Sequence, residues 1–186
     1  MRKIAITAAA ATALLGAGAA SAAVTVIGGS AARSCYESAE RENASDSALR
    51  TCNTALEPGV SLGHERVASF VNRGILYFYR GQYDRAIEDF DTAIALDPQE
   101  PEAFLNKGVA LMRRDNSGQQ ALPLFSMAIE MGTEEEALAY YARGVANELN
   151  GDLTAAYYDI QRASQIAPEW DVPSRDLARF IVRPAN

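Results

Sequence analysis

Three consecutive stretches of this chain repeat one pattern every 34 to 36 residues, and no other feature limits the fold as much. They cover residues 67–100, 101–135 and 137–170. Gly74, Gly108 and Gly144 recur in step, as do Ala86, Ala121 and Ala156, and again Ala93, Ala128 and Ala163. Each stretch reads as two helices, with Gly81 or Asn150-Gly151 where the first must stop and turn. The recurring glycine and alanines mark the closest crossing of the two helices, where a larger side chain would force the backbones apart. Aromatic residues fill the space between neighbouring pairs. Pro101 suits a first helical turn, because its missing N–H has no partner to lose there. Thr133 and Glu136 have the spacing of a capping box, with Glu134 and Glu135 adding favourable charge at that helix start. Asp152 is placed to cap the helix that follows it, and Pro123 falls inside a helix, where it is expected to produce a kink.

This pattern resembles that of the tetratricopeptide-repeat family. That family has an aromatic, a glycine four residues on, a hydrophobic or aromatic residue, then a small residue, an aromatic, a small residue and a proline. Residues 67–100 supply Phe70, Gly74, Tyr77, Ala86, Phe90, Ala93 and Pro98. Residues 101–135 supply Phe104, Gly108, Leu111, Ala121, Phe125 and Ala128, with Thr133 where proline is usual. Residues 137–170 supply Tyr140, Gly144, Ala156, Ala163 and Pro168, with Asn147 and Ile160 as departures.

The resemblance implies an all-α fold, a right-handed superhelix of antiparallel helix pairs closed by a C-terminal capping helix. It also implies a concave face lined by the first helix of each repeat. Carried over position by position, that face takes Val71, Asn72, Ile75, Phe78 and Tyr79 from the first repeat. Leu105, Asn106, Val109, Met112 and Arg113 come from the second, and Tyr141, Ala142, Val145, Glu148 and Leu149 from the third. Such a groove is apolar and aromatic. Asn72 and Asn106, one repeat apart, form a short ladder of amides able to pair with a peptide backbone, while Tyr79, Tyr141 and Arg113 would set side-chain preference. The alternative is that some of these residues pack against the terminal arm or a neighbouring repeat. A basic clamp for a C-terminal carboxylate fits poorly, because only Arg113 supplies a cation along the groove.

The two ends are less regular. Residues 34–66 read as a degenerate first helix pair, with Ala48, Cys52 and Ala55 at the small, aromatic and small positions and Ser45 as a helix cap. Register puts Cys35 and Cys52 on facing helices of that pair, so they are candidates for a disulfide if the chain is exported, and a pair of buried thiols otherwise. After residue 170, Leu177, Phe180 and Ile181 have helical spacing between Pro173 and Pro184, which predicts a final helix over 174–182 within a capping segment, 171–186. At the other end Arg2 and Lys3 precede an uncharged, alanine-rich run that closes on Ala20-Ser21-Ala22, the form of a signal peptide over residues 1–22. Residues 23–33, with Val24-Thr25-Val26-Ile27, are expected to form a flexible or docked arm. A mature chain of this kind would be periplasmic or secreted, with no integral membrane span.

Charge narrows the partners. The net charge is −7 over the whole chain and becomes −9 when Arg2 and Lys3 are removed, which argues against nucleic acid and anionic membranes. The sequence holds one histidine, His64, and no CxxC pair or HExxH motif, so neither a metal site nor a cofactor is expected. Asp89 and Asp91 flank Phe90 on one helix and point to different sides, which does not make a paired-carboxylate site. With no catalytic residues indicated, the expected role is a protein-interaction scaffold of the cell envelope whose partner is another protein. A self-associating structural protein, a homo-oligomer built through the convex face or the caps, is the alternative.

Overall fold

The computed structural model describes residues 4–8, 22–25 and 29–184. Most of the expected signal segment, and Val26 and Ile27 of the arm, lie outside these described residues. Helices dominate: α1 (Ser30–Glu40), α2 (Asp46–Ala55), α3 (His64–Tyr79), α4 (Tyr83–Leu96), α5 (Pro101–Asp115), α6 (Leu122–Met131), α7 (Glu136–Leu149), α8 (Leu153–Ile166) and α9 (Asp171–Leu177). They stack as four antiparallel pairs closed by α9, an all-α solenoid. A short antiparallel ribbon of β1 (Ile4–Ala8) and β2 (Phe180–Pro184), with Ile6 opposite Val182, joins the two ends of the chain.

The repeat pattern works through one contact made three times. A methyl group added at Gly74 would run into the Phe90 ring of α4, one at Gly108 into the Phe125 ring of α6, and one at Gly144 into Ile160 of α8. Each ring, or its isoleucine substitute, is fully buried over the bare backbone of the facing helix, flanked by alanines with no exposed surface. Gly81 and Gly151 have positive φ (69° and 84°), which lets α3 and α7 stop and reverse within three residues. Side-chain caps form at Ser45, which accepts from the Ala48 N–H at 3.3 Å, and at Asp152, which accepts from the Ala155 N–H at 2.9 Å. Cys35 and Cys52 are joined by a disulfide across α1 and α2, Cα atoms 4.8 Å apart. Closing that loop stabilises the irregular N-terminal pair by about 3 kcal/mol in the chain-entropy account.

Three expectations are corrected. Pro123 does not kink a helix; it lies in the first turn of α6, where proline is tolerated. The α5–α6 connection is longer than the other two, so α6 starts a turn late, and Gly118 within it lies against the Ala146 carbonyl of α7. The Thr133–Glu136 capping box does not form. Thr133 instead donates its hydroxyl to Glu102 of α5 at 3.0 Å, and the same carboxylate oxygen accepts the Glu134 N–H at 3.0 Å. Glu102 therefore holds, from a neighbouring repeat, the turn that leads into α7. The final helix spans Asp171–Leu177, and Phe180 and Ile181 belong to β2 rather than to a helix over 174–182. Pairing with β1 satisfies backbone groups that a longer helix would have satisfied internally.

Ion pairs fasten the helices of a repeat to each other. Arg73 makes a two-pronged contact with Asp89 (2.8 and 2.7 Å) and Arg143 an equivalent one with Asp159 (2.9 and 2.8 Å), each fork spanning first and second helix. Asp91, on the other side of Phe90 from Asp89, pairs with Lys107 of α5. Glu100 is buried beside Glu102, and burial, reinforced by the Glu102 carboxyl, pushes its pKa up to about 8.

Two outcomes follow from this packing. Helix propensity alone would make Gly108→Ala stabilising by about 0.5–1 kcal/mol. The Phe125 ring reverses the sign, with an expected loss of about 1–3 kcal/mol in chemical denaturation. The second concerns pH. Folded chain holds the Glu100 proton up to about pH 8, whereas an ordinary glutamate releases it near 4.5, so stability is fully present below the lower value and declines as pH rises between the two. Denaturant midpoints at pH 5, 7 and 9 should show Glu100→Gln losing that share of the decline.

Candidate functional site

The first helices α3, α5 and α7 stand side by side and present one long face to the inside of the superhelix. Val71, Asn72, Ile75, Leu105, Asn106, Val109, Met112, Tyr141 and Val145, the residues expected on that face, are all buried; Phe78, Tyr79 and Arg113 are half-buried. The face is thus covered rather than open. Over Asn72 and Asn106 the cover is the chain's own residues 22–25.

The contact is made through backbone. The Val24 N–H donates to Asn72 Oδ1 at 3.0 Å, and Asn72 Nδ2 donates back to the Val24 carbonyl at 2.9 Å. One side-chain amide thereby satisfies both polar groups of one residue, as a neighbouring β-strand would. One repeat further on, Asn106 Nδ2 donates to the Ala22 carbonyl at 2.9 Å and also to the Glu102 carbonyl of its own helix at 2.8 Å. The segment lies antiparallel to the order of the repeats, and its side chains alternate. Ala22 (1% exposed) and Val24 (7%) point into the groove, while Ala23 is half-buried and Thr25 exposed. Asn72 itself has no exposed surface. An amide buried that deeply costs about 1–3 kcal/mol when left without a partner, so the pairing with Val24 is what makes its position tolerable.

The third repeat's share of the face is committed elsewhere. The Tyr141 hydroxyl donates to Asp176 of α9 at 2.7 Å, its ring meets Trp170 edge-on at 5.1 Å, and burial holds its pKa far above the usual phenol range. Glu148 takes a fork from Arg179 at 2.8 and 3.1 Å. Tyr141 was expected to set ligand preference; here it anchors the C-terminal cap. Ala142 is fully buried and Leu149 partly exposed at 38%. His64 stands 4.0 Å from Glu100, away from the groove.

Sequence reasoning missed the Arg73–Asp89 and Arg143–Asp159 forks, although a signal existed. An arginine precedes the repeat glycine and an aspartate precedes the ring position, 16 residues apart both times. It also left the arm's position open, and the alternation of Ala22 and Val24 with Ala23 and Thr25 is the trace of its docking.

Among the described residues no group of three or more His, Cys, Asp or Glu is placed to hold a metal ion, and no helix is long and apolar enough to cross a membrane. The stacked helix pairs with glycine-on-ring crossings define a helical-repeat scaffold. Residues 74–114 match the TPR repeat family, residues 115–169 match the tetratricopeptide repeat, and the chain belongs to the tetratricopeptide-repeat family. Proteins built from these repeats are protein-interaction scaffolds, and this chain is one in that general sense. Among solved structures it is similar to the crystal structure of MamA, at 22% identity over 77% of this chain and 80% of that one, with a TM-score of 0.62. MamA residues 41–end from Desulfovibrio magneticus RS-1 match at 24% identity over 80% and 82%, with a TM-score of 0.63. A MamA RS-1 ArsTM double mutant matches at 23% identity over the same shares and with the same score. These likenesses are of fold. No curated protein matches the chain.

Proposed function

We propose that this chain is a non-catalytic scaffold of the cell envelope that holds an extended segment of a partner polypeptide along its concave groove. One observation carries the reading: a stretch of extended backbone, residues 22–25, already lies across Asn72 and Asn106 and is paired with their amides. Recognition through backbone N–H and C=O tolerates many sequences, and the buried Val71, Ile75, Leu105 and Val109 around the amides supply an apolar bed. An extended partner gives up conformational entropy on docking, so affinity of the isolated segment is modest. The envelope part of the proposal is supported by the signal-like start of the sequence and by the Cys35–Cys52 disulfide, a bond that persists in oxidising compartments.

Two measurements test it. Pull-downs with the wild-type chain and with a double Asn72→Ala, Asn106→Ala variant of unchanged fold should differ, the variant losing the partners that the wild type retains. Equal recovery would move the binding surface to the convex face or the caps. Protein collected from the cell exterior should begin near Ala23 and, denatured without reductant, show no titratable thiol. A retained Met1 or two free thiols would remove the envelope assignment.

A further inference from the structure

The arm occupies the very amides that the proposed partner needs. We infer that in the uncleaved chain residues 22–25 are a built-in ligand of the groove, an internal competitor that an incoming segment displaces, and that their chemistry states what that segment looks like; cleavage before Ala23 would keep Val24 on Asn72 and take Ala22 off Asn106. The inference rests on the groove reading above and deepens it.

Two features separate this docking from incidental packing of a chain end. The first is polar: Asn72 pairs with both the N–H and the C=O of Val24 at a position with no exposed surface, so an empty groove would leave a buried amide without partners. Any segment that replaces the arm must bring the same backbone pair. A proline cannot, because it lacks the N–H. The second is steric. Ala22 belongs to the buried apolar cluster that holds Leu105, Val109 and Val145, whereas Val24 belongs to the one that holds Val71, Ile75 and Ala103. The site opposite Asn106 thus takes a methyl group, and the site opposite Asn72 a β-branched side chain. The residue between them is half-buried, and Thr25 faces solvent, so these positions are left without apolar demands. The ligand class is an extended, uncharged peptide segment with a small residue two places before a β-branched one, read antiparallel to the order of the repeats.

The experiment uses a fluorescein-labelled hexapeptide with the sequence of residues 21–26, Ser-Ala-Ala-Val-Thr-Val, and the full chain. Its affinity for wild type is compared with that for Val24→Asp, which places a charge in the apolar cluster that holds Val71 and Ile75 and expels the arm, and for Val24→Pro, which removes the N–H without adding a charge. The peptide should bind both variants about tenfold or more tighter than wild type, because the tethered competitor no longer occupies the site. Adding Asn72→Ala to the Val24→Asp chain should abolish that gain, and a peptide with proline in place of its Val24 equivalent should not bind. Equal affinity for wild type and both variants would overturn the arm as competitor. No binding to any chain would overturn the ligand class, and the Asn72- and Asn106-dependent pull-down would then decide separately whether the groove holds a partner of other chemistry.

Discussion

Everything in this molecule depends on how closely two helices of a pair can approach, and a ring laid over a glycine sets that distance. Phe90 over Gly74, Phe125 over Gly108 and Ile160 over Gly144 bring each second helix onto its first at one depth. Because the depth is repeated, so is the rotation from one pair to the next, and the first helices line up as a continuous inner face. The forks of Arg73 on Asp89 and Arg143 on Asp159 hold two of these pairs, α3–α4 and α7–α8, against sliding, with charge-assisted hydrogen bonds in fixed geometry. The apolar contact fixes depth and the ionic one fixes register. Neither could place Asn72 and Asn106 one above the other alone.

Placing two amides on an apolar face creates an obligation as well as a site. Asn106 partly meets it within its own helix, through the Glu102 carbonyl. Asn72, among the described residues, meets it through the Val24 backbone. The groove is therefore never simply greasy: whatever covers it must be a chain with backbone to spare, which excludes a compact apolar ligand and favours a strand.

Much of this was legible in the sequence, for a definite reason. A close helix crossing admits nothing larger than the residues at Gly74, Ala86 and Ala93, so their recurrence marked the pairs and, with them, the face that carries Asn72 and Asn106. Cap residues such as Ser45 and Asp152 act within three residues and were equally readable. What failed were features decided across repeats. Thr133 has the right spacing for a local capping box, but Glu102 reaches it from α5 and takes its hydroxyl first. Pro123 looked internal because the extra length of the α5–α6 connection leaves no local mark in the sequence. Leu177, Phe180 and Ile181 keep helical spacing, yet β1, from the opposite end of the chain, takes Phe180 and Ile181 into a ribbon. The occupied groove belongs to the same class: Asn72 and Val24 are 48 residues apart, and periodicity carries no information about such a pair.

The arm has a mechanical meaning as well. Buried apolar residues divide into two bodies, one gathered around α1 to α4 and the other around α6 to α8, with α5 as their common wall: Ala103, Ala110 and Leu111 belong to the first, Phe104, Leu105 and Val109 to the second. Ala22 is packed in the second body and Val24 in the first, so a few residues of extended chain act as a strut across the seam on its concave side. A strut on the inside of a curve resists both opening and further closing.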